Sequence, residues 1–209
     1  MRERRSRPTT STSSLGFTVI EVLVALLIAV VVLSAFTGFY VAQQRAFRRH
    51  QVEIASSQSL RNTLEQMSRD LRAAGLDPLA SAAAGIGLAD ARQVDFTLDA
   101  NADGLIGATD PAETKKFRQN GTTIESYQAG VAGSWITLGD FIAPAGTPPG
   151  PIFRYFRCDG TEVTTLPASA SDRAAVARVD ISLTVNGVGG IELSRAETES
   201  VRLRNKVCP

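Results

Sequence analysis

From Val22 to Gln44 the chain carries no charged side chain. Val, Leu, Ile, Ala and Phe dominate this stretch, and some 20 such residues in a helix cross a bilayer core of roughly 30 Å. Glu21 stands at the entrance of the run. A carboxylate in hydrocarbon costs on the order of 2.5–3.5 kcal/mol on insertion scales, so it needs a partner and marks function. The nearest conceivable partner is an amine. If the chain were cut between Gly16 and Phe17, the new α-amino group would lie one helical turn from Glu21.

Gly16-Phe17-Thr18-Val19-Ile20-Glu21, with Arg2, Arg4, Arg5 and Arg7 ahead of it and the apolar run behind, resembles the class III signal of type IV prepilins and type II secretion pseudopilins. The resemblance implies that a membrane-embedded prepilin peptidase cuts after Gly16 and methylates Phe17. It implies that Glu21 is the assembly residue. Packed helices would bury Glu21, and the amino terminus of Phe17, on the same or a neighbouring subunit, would neutralise it. A dry pair of this kind interacts far more strongly than it would in water, but desolvation offsets much of the gain. Its use is then to fix register. Two other readings remain: an ordinary secretory signal with an Arg-rich n-region, and a plain single-pass anchor. An ordinary signal should not hold a carboxylate in its apolar segment, and this run is too long for one. The leader, Met1 to Gly16, is longer than many prepilin leaders.

The chain has 209 residues, with 22 basic and 21 acidic side chains. The leader holds four Arg and one Glu, so the remaining 193 residues carry 18 basic against 20 acidic groups. That near-neutral balance lacks the clustered basic surface that nucleic-acid binding requires. The leader charges would hold the N-terminus on the cytoplasmic side, which exports everything after about residue 44. Of the two cysteines, Cys158 and Cys208, an even pair in an exported domain reads as a disulfide. The alternative is two reduced, unrelated thiols. A bridge would close a loop of roughly 50 residues, worth about 4 kcal/mol in the chain-entropy treatment.

Helical periodicity continues past the apolar run. Leu60, Leu64, Met67 and Leu71 follow a 4-3-4 spacing, with Phe47 and Ile54 on a similar stripe, which makes an amphipathic helix with one face for packing. Gly75 and Pro78 end it. Residues 17–74 predict one helix of about 58 residues, about 87 Å long. Gly38 interrupts the apolar half, either as a helix breaker or as a point of close packing. Ala80 to Leu88 reads as a linker or short turn.

Strand signals follow. Val94, Phe96 and Leu98 alternate with polar residues, Asn120-Gly121 divides two strands of a hairpin, and Trp135 to Leu138 makes a short strand. A second hairpin is expected around Asp159-Gly160, a helical turn at Ser171 to Ala177, a strand over Val179 to Val185, and a closing pair at Ile191 to Ser194 and Ser200 to Arg204. Ala143 to Pro151 reads as loop. The expected class is α+β, with a long N-terminal helix and a mostly antiparallel sheet. The expected divisions are a leader (1–16), an apolar helix half (17–44), an amphipathic half (45–75) and a β-rich exported head (76–209).

Further segments are similar to one branch of the family. Met67 to Gly75 resembles the helix end of PilW-type minor pilins. Phe153-Arg154-Tyr155-Phe156 before Asp159-Gly160 resembles a segment of PilW and of the pseudopilin GspJ, and Val201 to Asn205 resembles the closing strand of the PilW group. The resemblance implies a pilin fold, the inner membrane before assembly and the pilus after it. Its implied partners are the peptidase and other minor and major pilins. The implied role is priming of pilus assembly at or near the tip. A minor pseudopilin of type II secretion and a pilus-tip adhesin or ligand-binding module are the alternatives.

Asp99, Asn101, Asp103, Gly104 and Asp110 fall at positions 1, 3, 5, 6 and 12 of a calcium-loop template. Oxygens two residues apart on a turning backbone converge on one cation. Leu105 would add its backbone carbonyl, Asp110 would close the cage, and Glu113 is a reserve ligand. The other reading is a solvated turn, since Asp, Asn and Gly favour turns in any case. No catalytic constellation stands out, and an enzyme is the least expected reading. His50 is the only histidine and falls on the long helix, and Trp135 reads as packing.

Overall fold

The apolar run becomes the first part of α1, a continuous helix over Val19–Arg72, in a computed structural model that describes residues 16–80, 84–107, 110, 112–128, 135–139, 142–143, 150–188, 191–206 and 208. Residues 1–15 of the expected leader and residues 144–149 of the expected Ala143–Pro151 loop lie outside the described residues. Two units divide the chain, one through Arg48 and one from Arg49 to Pro209.

In the first unit, α1 is long and apolar enough to cross a membrane. Two of its hydroxyls bond inward to the helix backbone: Ser34 Oγ donates to the Val30 carbonyl and Thr37 Oγ1 to that of Leu33, both at 2.7 Å. A hydroxyl satisfied within its own helix leaves an apolar outer surface. Gly38 lies inside the unbroken helix. A Cβ there would meet nothing within 4 Å, so nothing among the described residues packs closely against it.

In the second unit the remainder of α1 buries one face. Leu60, Thr63, Leu64, Met67, Ser68 and Leu71 are buried, which matches the 4-3-4 stripe. Two antiparallel sheets complete the core. The first has five strands in the order β1-β2-β3-β4-β5: β1 Ile86–Ala89, β2 Gln93–Thr97, β3 Thr114–Asn120, β4 Thr123–Gln128 and β5 Trp135–Gly139. The second is built on β8, Val176–Val188, which pairs with β6 (Ile142–Ala143), β7 (Phe153–Arg157) and β9 (Ile191–Arg202). Alternation places Val94, Phe96, Phe117 and Ile124 of the first sheet in the core beside Phe153, Tyr155, Val179, Ile181, Leu183 and Val201 of the second. The fold class is α+β, as expected.

Tyr155 ties the two sheets together. Its buried hydroxyl lies 2.9 Å from the Asp90 carbonyl and 3.2 Å from that of Gln93, and burial raises its pKa well above the ordinary tyrosine value. Ile152 N and Phe153 N both donate to the Ala91 carbonyl. At the α1 face, Lys115 Nζ reaches Asp70 at 2.7 Å and Arg72 reaches Glu199 at 3.0 Å.

The turn at Asn120-Gly121 closes a hairpin in the register Asn120↔Thr123, with Gly121 at φ +59°. Three expectations change. Ile86–Ala89 is not linker but β1, hydrogen-bonded to β2. Its small residues hide a strand whose inward Ala89 is fully buried. Beyond Asp159-Gly160 the chain makes a single bridge, Phe156↔Glu162, and no second strand. The closing pair is instead one strand, β9, laid along β8 through ten paired positions from Arg178↔Arg202 to Val188↔Ile191. The long partner strand supplies the regularity that the broken hydrophobic pattern of β9 lacks.

The helical turn becomes α2, Ala170–Ala175, capped by Ser169, whose side chain accepts from Asp172 N. Cys158 and Cys208 are joined, with Cα atoms 5.3 Å apart, so the reading of two free thiols is set aside. Trp135 packs edge-on to Tyr127, ring centroids 5.4 Å apart, with the Arg118 guanidinium 3.8 Å over its ring.

Met67 is fully buried, so Met67→Ala is expected to cost about 2–5 kcal/mol. The measurement is the denaturant midpoint of the full chain in detergent micelles; an unchanged midpoint would remove the stripe from the core. The hydrogen bonds from Arg154 to Glu162 and from Arg157 to Asp172 each hold a carboxyl below its ordinary pKa. Both carboxylates are therefore favoured in the folded state. The stability they contribute is complete above their unfolded values and is lost as pH falls through the lowered folded ones. Acid titration of the thermal midpoint should show this loss, with a shallower acid slope for Glu162→Gln.

Candidate functional site

Two places in the chain carry the residues singled out from the sequence. The first is the entrance of α1. Gly16, Phe17 and Thr18 precede the helix, whose first residue is Val19. Phe17 is exposed. Thr18 and Glu21 bond reciprocally: Glu21 Oε2 accepts from Thr18 N at 3.0 Å and from Thr18 Oγ1 at 2.9 Å, while Glu21 N donates to Thr18 Oγ1 at 3.4 Å. This is a capping box, in which each residue's side-chain oxygen accepts from the other's orphan backbone N–H. The Thr-x-x-Glu spacing carried that signal in the sequence. The Gly16–Phe17 peptide thus lies outside the helix, and Glu21 has a partner at the first turn of α1.

The second place is the connection between β2 and β3. The two strands end their pairing at Thr97↔Thr114, and Leu98 N donates to the Glu113 carbonyl at 2.9 Å, one step beyond. Asp99 and Glu113 therefore lie close together at the mouth of the loop. Asp103 reaches in from its middle. One carboxylate oxygen from each of Asp99, Asp103 and Glu113 lies within 4.8 Å of the others.

The loop backbone shapes this cluster. Asp99 Oδ2 accepts from Gly104 N at 3.0 Å, Asn101 Oδ1 from Asp103 N at 3.0 Å, and Asp103 Oδ1 from Leu105 N at 2.8 Å. Glu113 Oε2 accepts from Gly107 N at 2.7 Å. Gly104 has φ +81°, a conformation that favours glycine. Asp99 and Glu113 are 0% and 1% exposed, yet among the described residues Asp99 Oδ1 and Glu113 Oε1 have no hydrogen-bond partner. Buried carboxylate oxygens are costly unless paired or coordinated to metal. Two such oxygens beside a third carboxylate make a site that can hold a metal ion.

The structure sorts the sequence candidates. Asp99 and Asp103 lie in the acidic cluster. Asn101 sits in the loop, 3.1 Å from Asp103 Oδ2 through its amide nitrogen. Glu113, the reserve, joins them at the foot of β3. Asp110 lies outside the cluster, and its Oδ1 accepts from Ala112 N at 2.8 Å. A twelve-residue template cannot anticipate this, because the strand register decides which residue meets Asp99 across the loop's mouth. His50 is exposed on α1, 3.9 Å from Glu53.

Comparison of the chain with protein-family models, with curated proteins and with solved structures finds no match. The assignment therefore rests on the residues themselves.

Without a cation the three carboxylates repel one another. Glu113→Gln removes one charge and is expected to raise the thermal midpoint of the metal-free chain by about 2–4 °C, the equivalent of about 1 kcal/mol at this size. The same variant should lose any rise that a divalent cation gives the unaltered chain. Calorimetry with chelator and with added cation reads both, and a lower midpoint in chelator would contradict converging charges.

Proposed function

We propose that this chain is an assembly protein of the type IV pilus, a minor pilin of the PilW type. It is inserted by α1 in the inner membrane with its β-rich part exported, and is cut between Gly16 and Phe17. The single observation that carries this reading is the entrance of α1. A Gly-Phe peptide lies outside the helix, directly ahead of the capped Glu21, and a helix with no charged side chain from Val22 to Gln44 follows. A peptidase needs a backbone free of helical hydrogen bonds, and the Gly16–Phe17 bond has that form. After the cut, the Phe17 amine joins the N–H groups at the helix start, where a carboxylate is favoured. Glu21 can then exchange its bond to Thr18 for the new amine of the same or an adjacent subunit. The disulfide suits an exported domain.

The cation of the acidic loop is calcium. The donors are carboxylates, with an amide oxygen and a main-chain carbonyl close by in sequence, and no His or Cys. Hard oxygen donors suit calcium, which accepts six to eight of them in flexible geometry. Zinc favours nitrogen and sulfur.

The test is the mature N-terminus. Mass spectrometry of the native protein is expected to find a chain that starts at methylated Phe17. A native chain that retains Met1 would overturn the reading. Glu21→Ala is expected to leave that cut largely intact and to prevent incorporation into filaments, scored by immunoblot of sheared pili.

A further inference from the structure

We propose that the cation held by Asp99, Asp103 and Glu113 acts as a clasp that fixes the exit of α1 onto the first sheet. This rests on the calcium reading of the loop and adds what the ion does there. The chain leaves α1 at Arg72 and turns through Gly75, which has φ +77°. Two backbone bonds catch it at once. Gly75 N donates to the Thr97 carbonyl at 2.9 Å, and Asp99 N donates to the Leu76 carbonyl at 2.7 Å. The segment after α1 thus runs beside the end of β2 like a short added strand. Asp99 belongs to both structures. Its N–H holds Leu76, and its side chain enters the carboxylate cluster with one buried, unpartnered oxygen.

The other two donors close the arrangement. Glu113 sits one residue before β3 and extends the β2–β3 ladder through Leu98. The next residue but one, Lys115, pairs with Asp70 on the last turns of α1 at 2.7 Å. A cation bridging Asp99, Asp103 and Glu113 therefore joins the end of β2, the loop and the foot of β3 at the point where the chain after α1 is strapped down. With no cation, mutual repulsion of three carboxylates within 4.8 Å drives the loop open. Asp99 is then drawn from Leu76, and the strap on the α1 exit loosens. Ion binding and docking of the α1 exit are one event.

Such coupling has a use in an exported protein. Calcium is scarce in cytoplasm and can be abundant outside it. A weak extracellular-type site is half-filled at about 10⁻⁴–10⁻³ M, so the junction sets after export.

Hydrogen exchange of the full chain in detergent micelles, read by mass spectrometry, tests the clasp. Calcium at saturating concentration, against chelator, is expected to slow exchange by about tenfold or more in two segments, residues 73–80 and residues 98–107, as local opening becomes rarer. Peptides over the Asn120-Gly121 turn are expected to stay unchanged. Glu113→Gln should abolish the effect in both segments. Asp103→Asn, at an exposed loop position, should do the same without touching the core. Asp110→Asn should preserve it. Protection of 98–107 with no change at 73–80 would overturn the clasp while leaving the calcium site standing. No protection anywhere, with no calcium bound in isothermal titration, would overturn both. Loss of protection in Asp110→Asn with none in Glu113→Gln would reassign the closing ligand and remove the link to β3.

Discussion

One face of α1 governs the second unit. Leu60, Leu64, Met67 and Leu71 enter a core that both sheets share. Burying each such side chain is worth roughly 1.5–3 kcal/mol relative to exposure. The strands gain from it in turn, because their inward rows at Phe96, Phe117, Ile181 and Val201 would otherwise face water. Ion pairs at the margin, Lys115 with Asp70 and Arg72 with Glu199, set the azimuth of the helix more than they add to its stability.

The acidic loop is a consequence of that docking. Once β2 and β3 are fixed beneath the helix, their pairing carries Leu98 and Glu113 to opposite lips of one loop. Asp99 and Glu113 are then pulled below the surface with one oxygen each left unpartnered. A fold that merely wanted a turn there could leave its carboxylates in water. Desolvating two of them beside a third is a cost that a divalent cation offsets.

At the other end of α1 the logic is local. Thr18 and Glu21 satisfy each other within one turn, so the helix start needs no tertiary help. The same carboxylate that caps the helix is the group proposed to meet a new amine after processing. A residue that can take either partner suits the membrane insertion and later assembly proposed above.

Periodicity made α1, its buried stripe and the hairpin at Asn120-Gly121 legible in the sequence, since each depends on residues close in the chain. The Thr-x-x-Glu spacing behind the Thr18–Glu21 hydrogen bonds is local in the same way, and the pairing of Cys158 with Cys208 was legible once export was assumed. Three features were decided only by tertiary structure. Ile86–Ala89 has too little hydrophobic contrast to announce a strand, and it is one because β2 offers a free edge. The broken pattern of β9 holds as a single strand because β8 lies alongside. Glu113 rather than Asp110 meets Asp99, because antiparallel register, not spacing along the chain, brings oxygen atoms together. Local hydrogen bonds and helical period can be counted along a sequence; the partner across a loop is fixed only when two strands have chosen their alignment.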